Sequence, residues 1–216
     1  MSELDPRLEG VLSDGQRRGF IGPGEVSTHI EHALGFRRAL STGAGRSRFR
    51  LEGARVLDLG SGGGLPGLVL AIARPDLEVV LLDANLRRTS FVGEAVATLD
   101  LTRRVTVVRA RAETSGRDPA CRGSFDLVVA RGFARPAVTA ECGAPFLRTG
   151  GLLVVSEPPE GAEPAARWPA SPLAELGLRP VQLHREDFSY QVLVQEHPCP
   201  ESYPRRSGVP AKRPLF

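Results

Sequence analysis

The chain has 216 residues, of which 41% are hydrophobic and 25% are charged. This length is typical of one domain with a sizeable core, and the composition excludes a wholly disordered protein. No apolar run approaches the roughly eighteen residues that a transmembrane helix requires, and residues 1–10 contain acids instead of an apolar signal segment. We therefore predict a cytoplasmic protein with no membrane partner.

Cysteine spacing and charge narrow the kinds of site further. The 3 cysteines are far apart and have neither CxxC nor interleaved histidine spacing, so we predict no disulfide framework and no metal site. The formal net charge is only +3, and the basic residues near the C-terminus account for it. A polyanionic substrate should therefore contact this end of the chain. The predicted substrate-binding residues are Arg205, Arg206, Lys212 and Arg213.

Three regions follow one another along the chain. Residues 1–54 are rich in Gly, Arg and Ser, and the Thr-x-x-Glu spacing of Thr28 and Glu31 predicts a capping box. One helix should therefore begin near Thr28, within an N-terminal cap or arm. Residues 55–196 alternate short apolar runs with amphipathic stretches, the βαβα pattern of an α/β sheet with helices on both faces. Residues 197–216 form a basic, proline-rich tail with little predicted regular structure.

The middle region is predicted to form a mostly parallel sheet of seven strands. The strands are Arg55–Leu59, Glu78–Asp83, Arg104–Arg109, Phe125–Ala130, Leu152–Ser156, Pro180–His184 and Tyr190–Gln195. The helices are Pro66–Ala73, Arg87–Leu99, Pro136–Leu147 and Leu173–Leu176. Only residues 185–189 separate the last two strands, which is too short for a crossover helix, so this pair should be antiparallel.

The glycine-rich turn Gly60–Gly64, between an apolar strand and a helix, is the most informative segment. Glycines let a ligand approach bare backbone at a helix N-terminus. The turn and Gly67 match the dinucleotide fingerprint, with Asp83 about twenty residues on. A carboxylate at Asp58, facing the crevice, would repel a pyrophosphate but pair with the cationic groups of S-adenosylmethionine, which favours the latter ligand. The predicted cofactor-binding residues of this segment are Asp58, Gly60, Gly62 and Gly64.

Three more polar residues follow the ends of predicted strands, which face the ligand in an open sheet. Asp83 can accept hydrogen bonds from both ribose hydroxyls of either ligand, so it does not discriminate between them. Glu113 follows the third strand, where a loop reaches the adenine, although a solvated loop charge fits the same position. Arg131 ends the fourth strand and can hold an anionic group, the alternative being a surface arginine.

Three blocks of sequence together resemble a known family. The first is Leu57–Gly67, whose Gly-Leu-Pro-Gly ending is its most specific part. The second combines Leu82-Asp83, Arg111-Ala112-Glu113 and Ala130-Arg131, and the third is the basic tail Tyr203–Leu215. With these blocks the chain resembles the class I S-adenosylmethionine-dependent methyltransferases, and within them the bacterial 16S ribosomal RNA (guanine-N7) methyltransferase G family.

This resemblance implies a Rossmann-like class I methyltransferase fold, with seven strands of which the last is antiparallel. It also implies S-adenosylmethionine as the cofactor and N7 of a guanine in 16S ribosomal RNA as the methyl acceptor. Guanine N7 offers a lone pair, so no general base is needed and we predict no catalytic residue. Ribosomal RNA or the small ribosomal subunit is the expected partner of a monomeric enzyme. The cofactor contacts implied by the resemblance are Gly60, Leu65, Ala112, Glu113 and Arg131.

The chain departs from the family pattern on the predicted substrate side. Arg87 replaces a usual lysine, and Glu157-Pro158 replaces a Lys-Gly pair, which makes a positive site negative. A His-Ile-x-Asp-Ser element is only partly present as residues 29–33, where His29 and His32 are candidate substrate contacts. Two alternatives therefore stay open: a methyltransferase for a small molecule, and a noncatalytic, ribosome-associated protein that binds the cofactor.

Overall fold

The computed structural model describes residues 5–41, 52–158 and 164–216. Its strands are β1 (Arg55–Leu59), β2 (Glu78–Asp83), β3 (Val105–Arg109), β4 (Phe125–Ala130), β5 (Leu147–Glu157), β6 (Leu178–Arg185) and β7 (Ser189–Gln195). Its helices are α1 (Arg7–Arg17), α2 (Val26–Ser41), α3 (Gly67–Ala73), α4 (Leu86–Thr98), α5 (Ala112–Ser115), α6 (Pro136–Gly143), α7 (Pro164–Arg167), α8 (Ala170–Ala174) and α9 (Val209–Lys212).

The strands form a 7-stranded sheet in the order β3-β2-β1-β4-β5-β7-β6. Neighbouring strands from β3 to β5 pair in parallel, whereas β7 is antiparallel to both β5 and β6. The predicted class I methyltransferase fold, including its antiparallel last strand, is therefore confirmed. The connections reverse direction between β1 and β4, and in such a sheet a ligand crevice opens at the carboxyl ends of these strands.

Alternating side chains of the strands build one apolar core on each face of the sheet. On β1, Val56 belongs to the core shared with helices α1 to α4, whereas Leu57 belongs to the core on the opposite face, shared with α5, α6 and α8. Both cores are closed by large side chains that are almost fully buried, such as Phe36 on the first face and Trp168 on the second. These two packed layers hold the strand ends, and thus the crevice, in fixed positions.

The N-terminal region differs from its prediction. Helix α2 begins at Val26, so Thr28 lies within its first turn and the predicted capping box does not form. Helix α1 was not predicted, although Leu8 and Leu12 are 0% exposed and pack in the first core. Residues 1–4 and 42–51 of the predicted cap lie outside the described residues. The three-region division of the chain stays a prediction.

Further boundaries moved. The helix predicted over Leu173–Leu176 is α8, Ala170–Ala174, and β6 begins at Leu178, two residues before its predicted start. The helix predicted over residues 136–147 ends at Gly143, and a 3-10 turn (Ala144–Phe146) leads into β5, which is longer than predicted and passes through Gly150 and Gly151. In the tail, the single described helix is the four-residue α9. Within residues 5–41, 52–158 and 164–216, none of the helices combines the length and the apolar character needed to cross a bilayer.

Candidate cofactor cleft

Two adjoining cavities open at the carboxyl ends of β1 to β4. The first has a volume of about 240 Å³ and lies between the glycine turn and the loop residues Phe20–Gly22, which connect α1 to α2. The second has a volume of about 320 Å³ and extends across the ends of β2 and β3. Gly60, Arg88 and Gly132 line both cavities, so the two cavities form one elongated cleft. Cavities of this size suit a small ligand.

Most of the predicted cofactor-binding residues line this cleft. Those in the first cavity are Gly60, Gly62, Leu65 and Arg131. Those in the second are Gly60, Asp83, Ala112 and Glu113. Asp58 and Gly64 line neither cavity. The structure thus brings together residues from four separate strand ends, as expected for an open sheet. Two of the predicted cofactor-binding residues, Asp58 and Gly64, do not line the cleft.

The backbone N–H groups of the glycine turn are largely engaged within the protein. Those of Gly60 and Ser61 donate to the Leu82 carbonyl at 2.8 and 2.9 Å, and that of Gly62 donates to Asp83 Oδ2 at 3.0 Å. Gly64 donates to the Ser61 carbonyl at 2.7 Å. A pyrophosphate is normally bound by free N–H groups of such a turn, so this arrangement favours a ligand without phosphate.

Gly60 is required at its position for two reasons. Its φ of 72° is in the left-handed region, and a Cβ atom there would lie 2.4 Å from the Phe133 ring. Phe133 lines the second cavity, so a larger residue at position 60 would displace a wall of the cleft. Both the backbone conformation and the close packing against Phe133 therefore require glycine at position 60.

The prediction that Asp58 faces the crevice is wrong. Its side chain is 0% exposed and lies beneath the turn, where Oδ2 accepts a hydrogen bond of 2.7 Å from the Gly67 N–H at the start of α3. Burial raises the pKa of Asp58 to about 7, and the bond from Gly67 opposes this only in part. The inward direction follows from β1, which is buried on both faces. A contact between Asp58 and the cofactor stays a prediction.

Asp83, unlike Asp58, lines the cleft. Oδ2 accepts from Gly62, as above, and Oδ1 accepts from the Asn85 N–H at 2.8 Å, while Arg88 Nη1 lies 3.7 Å from Oδ2. A carboxylate has about four acceptor positions, so two remain for a diol. The two backbone bonds fix the orientation of the carboxylate, which is the requirement for reading both hydroxyls of a ribose.

Arg131 is a half-buried cation that lines the first cavity. Its Nη2 lies 2.6 Å from Nδ1 of His29 on α2, and Nε2 of that ring lies 3.1 Å from the Gly22 carbonyl. Because a carbonyl can only accept, Nε2 carries the proton and Nδ1 accepts from the guanidinium. Nη1 of Arg131 is buried and has no hydrogen-bond partner among the described residues. A buried donor with a positive charge and no partner fits an anionic group of a ligand.

His32, one turn further along α2, has a different environment. Its ring packs against Phe36, Phe188 and Tyr190, with ring centroids 5.9, 4.7 and 5.5 Å away. Burial, assisted by the charge of Arg131, lowers the pKa of His32 to about 4, so the imidazole is neutral. His32 lines neither cavity, and its predicted substrate contact stays a prediction.

The C-terminal cations divide into two groups. Arg205 is bound to Glu141, whose carboxylate is 0% exposed, through N–H bonds of 2.9, 2.8 and 2.5 Å, so the guanidinium neutralises an internal charge. Arg206, Lys212 and Arg213 are exposed. These three side chains have the accessibility that the predicted substrate contacts need, while Arg205 has a structural partner.

Two parts of the cleft were missed in the sequence. Phe20–Gly22 line the first cavity, and Ala211 of α9 lines the second. The loop could have been located through α1, since Leu8, Val11 and Leu12 have helical apolar spacing. For Ala211 the local sequence carries no signal, because its position depends on how the tail folds back.

Comparisons with known proteins agree with this fold and cleft. Residues 10–160 match the family model described as rRNA small subunit methyltransferase G. The chain is 41% identical over 169 residues to the ribosomal RNA small subunit methyltransferase G of Moorella thermoacetica, covering 75% of this chain and 70% of the relative.

Two solved structures show the fold alone, because their identity to this chain is low. A putative O-methyltransferase from Klebsiella pneumoniae has a TM-score of 0.60 and 17% identity, over 89% of this chain and 90% of the other. An O-methyltransferase of neocarzinostatin biosynthesis, in complex with S-adenosyl-L-homocysteine, has a TM-score of 0.54 and 20% identity, over 78% of this chain and 56% of the other. Because its sequence matches this family model and the relative from Moorella thermoacetica, the chain belongs to the rRNA small subunit methyltransferase G family.

Proposed function

We propose that this chain transfers a methyl group from S-adenosylmethionine to N7 of a guanine in 16S ribosomal RNA of the small ribosomal subunit. The observation that carries the proposal is the half-buried guanidinium of Arg131, which lines a cleft whose glycine turn has few free N–H groups. Such a cleft suits a ligand that carries a carboxylate and no phosphate. Family membership supports both the methyltransferase class and this cofactor.

The two cavities suit the two halves of this cofactor. Asp83, Ala112 and Glu113 line the second cavity, which would hold the adenosine, with the Asp83 carboxylate directed at the ribose hydroxyls. Arg131 lines the first cavity, where its guanidinium would bind the carboxylate of the amino acid part. When bound, S-adenosylmethionine supplies a methyl group on a positively charged sulfur. The residues of the chain then orient the cofactor and the acceptor, and the N7 lone pair needs no base.

The exposed tail cations suit an RNA acceptor. Arg206, Lys212 and Arg213 can contact phosphates, and Ala211, beside Lys212, lines the second cavity, so the cationic tail reaches the cleft. A ribosomal acceptor would place the enzyme in the cytoplasm, where it would bind the small subunit.

The modest net charge and the Glu157-Pro158 replacement are the two features that favour a small-molecule acceptor. The Glu157 carboxylate accepts from Arg167 Nε at 2.5 Å and from Trp168 Nε1 at 3.1 Å, and its side chain is 8% exposed. Its charge is thus neutralised inside the protein and does not face an approaching polyanion. This favours RNA over the small-molecule alternative.

The proposal is tested with the purified chain, labelled S-adenosylmethionine, and either 30S particles or naked 16S RNA lacking the modification. We expect label in the RNA, located as N7-methylguanine by reduction and aniline cleavage. Binding of the cofactor without transfer to either RNA would support the noncatalytic alternative and refute the proposal. Transfer to a small molecule alone would refute the RNA part.

Arg131→Ala tests the cofactor contact by titration calorimetry. Charged hydrogen bonds contribute about 1.5–3 kcal/mol, so the dissociation constant should rise about 10- to 100-fold. Arg135→Ala is the matched control, because Arg135 is exposed and lines neither cavity. An unchanged affinity in Arg131→Ala would remove this residue from the cofactor site.

A further inference from the structure

The C-terminal tail is fastened to the methyltransferase core at several points. Arg122 donates to the carbonyls of Cys199, Pro200 and Tyr203 at 2.7, 2.8 and 2.9 Å. The Arg205–Glu141 pair holds the next segment. Tyr203, Leu215 and Phe216 pack against the second core. The tail therefore has a defined path over the protein surface and is more than a flexible basic arm.

One fastening point lies at the cleft itself. The Gly208 N–H donates to Glu113 Oε1 at 2.9 Å, and Glu113 lines the second cavity. Gly208 has a φ of 80° and is the N-cap of α9. Three residues later, Ala211 lines the same cavity. The Glu113 carboxylate thus connects a wall residue of the cavity to the start of the helix that forms another part of the wall.

We propose that the tail is part of the cofactor pocket, with Glu113 and Gly208 as positioning residues that hold α9 against the second cavity. This rests on the proposed function, since it takes the second cavity as the adenosine half of the cofactor site. The resemblance assigns Glu113 to the cofactor, and the charge distribution along the sequence assigns the tail to the substrate. The contact between them gives the Glu113 carboxylate a second role and makes the tail necessary for cofactor binding even without RNA.

The proposal is tested at Gly208, which does not itself line the cavity. A Cβ atom at Gly208 would meet no atom within 4 Å, so Gly208→Val acts only through the strain of φ near 80° on a β-branched residue. Gly150→Val is the matched control: its φ is 83°, its Cβ would make only an ordinary contact of 3.6 Å with Arg148, and it lines neither cavity. Both variants should lose similar stability.

Cofactor affinity is measured by titrating the full chain with S-adenosylmethionine in the absence of RNA. We expect the dissociation constant to rise about tenfold in Gly208→Val and to stay within about twofold of wild type in Gly150→Val. Ala211→Leu is a second variant that keeps the tail folded, because Ala211 is exposed, and fills part of the cavity. It should weaken binding by a similar factor. Thermal unfolding of each variant establishes that it is folded.

Wild-type affinity in both Gly208→Val and Ala211→Leu would overturn the proposal. It would also be overturned if Gly208→Val and Gly150→Val lost cofactor affinity equally while Ala211→Leu kept wild-type affinity. Neither result would affect the proposed function, provided that the wild-type chain binds the cofactor and methylates RNA. If the wild-type chain binds no S-adenosylmethionine, the proposed function itself fails.

Discussion

Replacing Asp58 by Asn should change how the stability of the protein depends on pH. The carboxyl is 0% exposed, and burial raises its pKa from 3.8 to about 7. Each pH unit between these values corresponds to about 1.4 kcal/mol, so ionised Asp58 destabilises the folded state by about 4 kcal/mol. This is a large fraction of the roughly 5–15 kcal/mol by which a domain is stable.

The sign follows from proton binding. Because the folded state has the higher pKa, it binds the proton more tightly than the unfolded state does. The stabilising effect of protonated Asp58 is therefore full below pH 3.8 and is lost as the pH rises towards and through 7. Asp58→Asn cannot ionise, and its amide oxygen can still accept from Gly67.

The assay is urea unfolding of wild type and Asp58→Asn at intervals from pH 4 to 8.5, with linear extrapolation to water. The variant should gain about 4 kcal/mol relative to wild type between the two ends of this range. Other titrating groups are common to both proteins and cancel in the difference. A free-energy difference that stays constant with pH would show that Asp58 does not titrate in this range, and the reasoning from its burial would be refuted.

Two further predictions concern side chains that meet across the fold. His29→Ala removes the acceptor for Arg131 and should weaken cofactor binding about tenfold in calorimetry. His29→Asn keeps an acceptor near the Nδ1 position and should recover most of the affinity. Equal losses in both variants would contradict this role of His29. Glu141→Ala removes the partner of Arg205 and should lower the free energy of unfolding in urea by about 2–3 kcal/mol. Glu196→Ala breaks an exposed ion pair and should lower this free energy by under about 1 kcal/mol. Similar losses in the two variants would mean that the buried pair contributes little.

The sheet could be predicted because its signals are local. β1, β2 and β4 have the predicted bounds, since each is an apolar run that ends at a glycine, an aspartate or an arginine. The start of β5 was missed because Gly150 and Gly151 are typical of a loop. In the structure, β4 pairs with Leu147 and then with Leu152, so residues 148–151 form an irregularity between two paired positions of the same strand. The predicted capping box at Thr28 was wrong because α2 begins two residues earlier, at Val26, so Thr28 lies inside the helix.

The cleft was predicted in outline but not in its contacts. Strand ends in an open sheet meet by topology, which placed Asp83 and Arg131 correctly. The contacts of Arg131 with His29 and of Glu113 with Gly208 join residues 102 and 95 positions apart. Local patterns contain no information on such pairs. They depend on how the first two helices and the tail fold back onto the sheet.

Asp58 and Arg131 have opposite charges beneath and within the same cleft, and each lowers the cost of the other's ionised form. A pKa of about 7 leaves Asp58 substantially protonated near neutral pH, so it neutralises Arg131 only in part. His29 accepts a hydrogen bond but brings no negative charge. The protein thus keeps a half-buried cation incompletely compensated, which costs stability, and a ligand carboxylate beside the guanidinium would relieve that cost. The inward position of Asp58, which removes it as a direct partner of the crevice, is therefore consistent with an anion site at Arg131, because a fully exposed carboxylate there would compete with the ligand for the guanidinium.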